Sequence, residues 1–90
     1  MEIEYDARKN GDNFAKHGVT LDEAAEVWNG VVVNIPAKNV EGEKRTKTLG
    51  AIEGAIYAVI WIERNGKRRL ISARKATEKE RSLYNDKTNH

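Results

Sequence analysis

The sequence predicts an α+β fold: a mostly antiparallel sheet of about four strands, with two helices before it and one after it. Three observations carry this. Thr20/Glu23 and Thr77/Glu80 each have the Thr-x-x-Glu spacing of a capping box, so a helix opens at both points. The β-branched run Val31 to Ile35 and the apolar run Ala55 to Glu63 read as strands. Asn65-Gly66, directly after the second run, is a strong hairpin signal because both central residues of a type I′ turn take positive φ. Strands grouped between helices, not alternating with them, place the helices on one face of the sheet and leave the other face for function.

Taken in order, residues 2–5 form a short first strand. Asp6 then caps a helix to about Lys16, with Gly18 as terminator, and Gly11 weakens that helix by about 1 kcal/mol relative to alanine. A second helix runs from Leu21 to about Asn29, with Val19 stapled onto Ala24 and Gly30 at its end. The strand from Val31 to Ile35 stops at Pro36, and a polar loop over residues 37–42 leads to a strand from about Glu43 to Leu49. Ala55 to Glu63 and Lys67 to Arg74 form the hairpin. The last helix starts after Thr77 and reaches Tyr84. Residues 1–84 are thus expected to form one domain, followed by a polar tail over residues 85–90 that frays.

Composition narrows the class. A chain of 90 residues, 39% hydrophobic, is enough for one small core and too short for two. No window approaches the roughly 20 apolar residues of a membrane span, and the acidic start Met1 to Asp6 lacks the regions of a signal peptide, so a cytoplasmic location is expected. The absence of cysteine removes disulfides, thiolate metal sites and cysteine nucleophiles. With His17 and His90 the only histidines, neither a metal nor a cofactor is expected.

The formal net charge is only +2, yet Arg64, Lys67, Arg68, Arg69, Arg74, Lys75, Lys79 and Arg81 crowd the last third. Such a cluster suits a polyanionic partner, and it also suits plain solvation of a hairpin and a helix. Register sharpens the choice. A two-residue turn at Asn65-Gly66 sets Tyr57 opposite Arg74, Val59 opposite Ser72 and Trp61 opposite Leu70, all on one face. Ile56, Ala58, Ile60 and Ile62 then point the other way with Ile71 and Ala73, as the core face beneath the helices. If the connection from Gly50 to Gly54 is a three-residue hairpin loop, Arg45 meets Val59 and Lys47 meets Tyr57. The result is a basic, partly aromatic concavity suited to single-stranded RNA, in which cations hold phosphates and a ring stacks on a base. Trp28 and Trp61 read as packing or partner contacts.

Three separated segments resemble the BrnT family of toxins. The first is Tyr5-Asp6 with Lys9, Asn13, Lys16-His17-Gly18-Val19 and Ala24; the second is Gly42-Glu43-Lys44-Arg45 with Leu49-Gly50. The third is Ile71-Ser72-Ala73-Arg74-Lys75-Ala76-Thr77 with Glu80-Arg81 and Tyr84. Thr46 and Lys47 depart from the pattern, which more often has apolar residues there. The resemblance implies a fold like that of RelE toxins and a metal-independent endoribonuclease that inhibits translation. It also implies neutralisation by a BrnA-like ribbon-helix-helix antitoxin, in a hetero-oligomer that binds operator DNA through the antitoxin.

Metal-free RNA cleavage uses the neighbouring 2′-hydroxyl as nucleophile, so a protein must take its proton, stabilise the phosphorane and protonate the departing 5′-oxygen. Arg45 and Arg74 suit phosphate clamping, because guanidinium groups make bidentate contacts. Lys75 can assist proton transfer, and Glu43 can act as a base beside Arg45. His17 has the pKa for acid–base work, while an imidazolium also suits the C-terminus of a helix. Lys47, Tyr57, Arg64, Arg81 and Tyr84 are the candidate RNA-binding residues, and Glu80 reads as the return half of its capping box. The alternative from another class is a module that holds nucleic acid or a protein partner on the same basic face without cleaving it.

Overall fold

The structure, a computed structural model, describes residues 1–89; His90 lies outside the described residues. Its elements are β1 (Ile3–Glu4), α1 (Ala7–His17), α2 (Leu21–Ala24) continued by a 3-10 turn (Ala25–Asn29), β2 (Val32–Pro36), β3 (Thr46–Ile52), β4 (Ala55–Arg64), β5 (Lys67–Lys75) and α3 (Glu78–Thr88). The sheet has five strands in the order β1-β5-β4-β3-β2, one more than the approximate count expected. It is mixed: β1 runs parallel to β5 through Ile3 and Glu4, and the other pairings are antiparallel.

Local chemistry sets the helix ends. Asp6 accepts hydrogen bonds from the backbone N–H of Arg8 and Lys9, and Gly18 ends α1 with φ 75°. Both capping boxes form as spaced. Two helices differ from expectation. The second tightens into 3-10 geometry from Ala25 to Asn29, and α3 continues to Thr88, four residues beyond Tyr84, with the Thr88 hydroxyl bonded to the Tyr84 carbonyl at 2.7 Å.

The core lies between the sheet and the N-terminal helical segments. Val19, Leu21, Ala24 and Val27 pack onto Val59 and Trp61 of β4 and Leu70 and Ala73 of β5. Leu21 and Leu70 are essentially fully buried, each contributing about 1.5–3 kcal/mol. Arg68 lies over Trp28 and Trp61, 4.5 and 5.2 Å from the ring centroids, and the Trp61 indole N–H bonds to Thr48 at 2.7 Å. This reverses the expected faces: Tyr57, Val59 and Trp61 turn toward the N-terminal helices, whereas Ala58, Ile60 and Ile62 turn away from them. Both faces of β4 are apolar because both are covered, so alternation alone does not tell them apart.

Two registers also differ. Trp61 pairs with Leu70 as expected, but a bulge follows between Ile60 and Trp61, after which Ile60 pairs with Ser72, Val59 with Ala73, Ala58 with Arg74 and Tyr57 with Lys75. The extra residue, Ile71, shifts everything beyond it by one and moves Arg74 to the opposite face. In the other hairpin the turn is Glu53-Gly54, with φ of 49° and 83°, so Lys47 meets Ile60 and Gly50 meets Tyr57. Gly50 is inside β3 because Val27 presses on it: a Cβ there would stand 2.7 Å from the Val27 Cβ. The strand starts at Thr46, later than expected, because Glu43 belongs to a small hairpin with Val40, turned by Glu41 and Gly42 at positive φ.

Candidate functional site

The face turned away from the N-terminal helices carries the site. Alternation along β3, β4 and β5 places Lys47, Ile60 and Arg74 on it, and α3 covers part of it. Lys47 and Arg74 come together on the side away from the N-terminal helices, as expected, but beside Ala58 and Ile60 instead of Tyr57: the odd shift in the β3–β4 register turns Lys47, and the β5 bulge turns Arg74, so both offset the face reversal.

Glu80 of α3 joins them. Its carboxylate accepts from Lys47 Nζ at 2.7 Å, from Arg74 Nη1 and Nη2 at 2.7 and 3.0 Å, and from the Thr77 backbone N–H at 2.9 Å. Glu80 is only 8% exposed. Its carboxyl is held well below the usual carboxylate range, chiefly by the Arg74 hydrogen bonds and further by Lys47 and the Thr77 amide, against the opposing effect of burial. Hydrogen bonding to Glu80 in turn raises the pKa of Arg74, against the opposing effect of burial. Sequence reasoning assigned Glu80 only its helix cap. The spacing of Thr77 and Glu80 already accounts for that glutamate, so nothing local signals its two cationic partners.

Beside this triad, Pro36, Ala37 and Val40 wall a depression of about 350 Å³, into which Lys38, Arg45, Lys47 and Arg74 bring positive charge above Ile60. Arg45 is held by its backbone, whose carbonyl accepts from Ala37 at 2.9 Å. Its Nε is buried and has no hydrogen-bond partner within the protein. Glu43 stands 4.0 Å from the Arg45 guanidinium and is half exposed, a loose pair that leaves the carboxylate accessible. Among the described residues no three His, Asp or Glu side chains gather as a metal site requires.

The remaining candidates lie elsewhere. His17 lines a separate depression between α1 and β5, with Lys9, Asp12, Lys16 and Ser72. Tyr57 packs against the core, and Lys75, opposite it in register, shares its face. Arg64 sits at the far hairpin opposite Lys67, Arg81 donates to the Ala76 carbonyl at 2.9 Å, and the Tyr84 hydroxyl donates to the Val31 carbonyl at 2.9 Å. The basic cluster of the last third is largely engaged as well. Lys67 pairs with Glu2 and Arg69 with Glu4, across to β1, while Arg68 stacks on the tryptophans.

Fold and site together define a small α+β protein that gathers guanidinium and ammonium groups around one depression beside a sheet. Residues 5–80 match the family model described as ribonuclease toxin, BrnT, of type II toxin–antitoxin system. The chain belongs to this family of ribonuclease toxins. No curated protein matches it at a significant level. Among the described residues no helix is long and apolar enough to cross a membrane.

Proposed function

We propose that the chain is a metal-independent endoribonuclease whose scissile phosphate sits in the depression between Arg45, Lys47 and Arg74. The observation that carries this is the convergence of three cations from β3, β5 and the loop before β3 on one concavity. In this mechanism the 2′-oxygen attacks phosphorus while its proton passes to Glu43, the accessible carboxylate beside Arg45. The two guanidinium groups neutralise the phosphorane. The P–O5′ bond breaks, and solvent at the open rim protonates the departing 5′-oxygen, leaving a 2′,3′-cyclic phosphate. Glu80, the one buried carboxylate among the described residues, is already engaged by two cations, a surrounding that repels a divalent ion rather than holding it.

On this reading the protein acts in the cytoplasm, has a RelE-like fold and inhibits translation by cutting RNA. A BrnA-like ribbon-helix-helix antitoxin silences it in a complex that binds operator DNA through the antitoxin. Family membership supports the antitoxin, and the basic depression supports the substrate.

Incubation of the purified chain with RNA in EDTA tests the chemistry. The expected products carry 2′,3′-cyclic phosphate and 5′-hydroxyl ends, and Arg45→Ala should slow their appearance by about 100-fold, as loss of a transition-state charge partner does, while the chain stays folded. Salt-sensitive retention of RNA with no products would instead establish a binding module.

A further inference from the structure

We infer that Glu80 is a positioning residue for RNA cleavage: it fixes the orientation of Arg74 and Lys47, so that the guanidinium offers phosphate one defined edge. This rests on the reading that the depression is the cleavage site. A guanidinium carries five N–H groups in a planar fork. Nη1 donates to Glu80 Oε1 and, at 3.3 Å, to the Lys75 carbonyl, and Nη2 donates to Glu80 Oε2. The donors left over are the Nε–H and the second Nη2–H, which lie along one side of the plane. That side is itself a bidentate fork of the kind that grips two phosphate oxygens. Glu80 therefore takes one edge of Arg74 and leaves the other.

The carboxylate also has a cost. It places a negative charge against two of the cations that face the substrate, so it weakens phosphate binding while improving geometry. Such an arrangement favours the transition state over the ground state, because orientation counts most where charge develops. A group present only to cap α3 or to hold the fold would not separate binding from turnover.

Glu80→Gln makes the distinction. Glutamine retains the N3 capping geometry toward Thr77 but removes the charge. The expected result is a split: kcat falls by up to about 100-fold, the scale of a misplaced catalytic group, while KM for RNA decreases because a repelling charge is gone. Glu80→Asp keeps the charge and shortens the reach, so kcat should fall while KM stays near that of the unmodified chain. Thr77→Ala, which removes the cap and leaves the Glu80–Arg74 pair, should lower Tm and leave both kinetic constants unchanged. Unchanged kcat in Glu80→Gln overturns the inference, as does a parallel loss in Thr77→Ala. Should Glu80→Gln fail to fold, unaltered kcat in Glu80→Asp overturns it alone. Arg45→Ala separates the two ideas: full cleavage there removes the site reading itself, whereas loss there with unchanged kcat in the Glu80 variants removes only the positioning role.

Discussion

At Asn13 one side chain stands in for a stretch of strand. β1 pairs with β5 only at Arg68 and Arg69, so the Ala73 backbone has no strand neighbour on that side. Asn13 Nδ2 donates to the carbonyls of Val19 and Ala73 at 2.8 Å each, and its Oδ1 accepts from the Ala73 N–H at 3.1 Å. All of this is buried. Asn13→Ala would leave those backbone groups without partners, at a cost of roughly 2–4 kcal/mol. A clear drop in the urea midpoint is expected, and an unchanged midpoint would refute the account. Glu80 has a pH signature at the same scale. Its folded-state pKa is lowered, so its contribution is present above the ordinary carboxylate value and is lost as pH falls through the acid range below it. Stability should therefore fall on acidification below about pH 4.5, more steeply than in Glu80→Gln, as Tm against pH would show. Of these residues, Asn13 stood in the family pattern without a role, and Glu80 with a purely local one. Their partners lie up to 60 residues away, beyond any signal carried by spacing.

Elements whose ends are set by neighbours in sequence were legible: the Asp6 cap, the Gly18 terminator, both capping boxes and the Asn65-Gly66 turn. What could not be read were the features set by contacts across the fold. Gly50 looks like a turn residue, yet it serves the close approach of Val27, and the true turn lies at Glu53-Gly54. Gly50→Ala should therefore destabilise the chain by about 1–3 kcal/mol, since the Val27 Cβ cannot be displaced without moving its backbone. A chemical-denaturation midpoint equal to that of the parent chain would contradict this. The site was legible in part: Arg45, Lys47 and Arg74 were singled out together, but the aromatic wall expected from Tyr57 is instead packed in the core, and the observed wall is Pro36, Ala37 and Val40.

For the whole molecule, the sheet divides two tasks between its faces. The side under α1 and α2 holds most of the apolar packing; the side under α3 holds the charged depression, and Glu80 links that helix to it. Net charge hides this arrangement, because Glu2 and Glu4 pair with Lys67 and Arg69 of the basic hairpin at 3.3 and 3.6 Å, while Glu43 stands off from Arg45 at 4.0 Å. RNA binding should accordingly depend on salt through the depression: Arg45→Ala should reduce the slope of log affinity against log salt by about 0.7 for single-stranded RNA. An unaltered slope would place the nucleic acid elsewhere.

The bulge in β5 has one more consequence, for the loss of a codon. Removing a single residue from the interior of a regular strand turns every later side chain to the other face. Here Ile71 is supernumerary: a chain shortened by that residue would still set Ser72 against Ile60 and Arg74 against Ala58. The strand thus carries slack of one residue just upstream of Arg74, the arginine proposed to hold phosphate. Deletion of Ile71 should spare RNA cleavage, and deletion of Ala58 on the facing strand should abolish it.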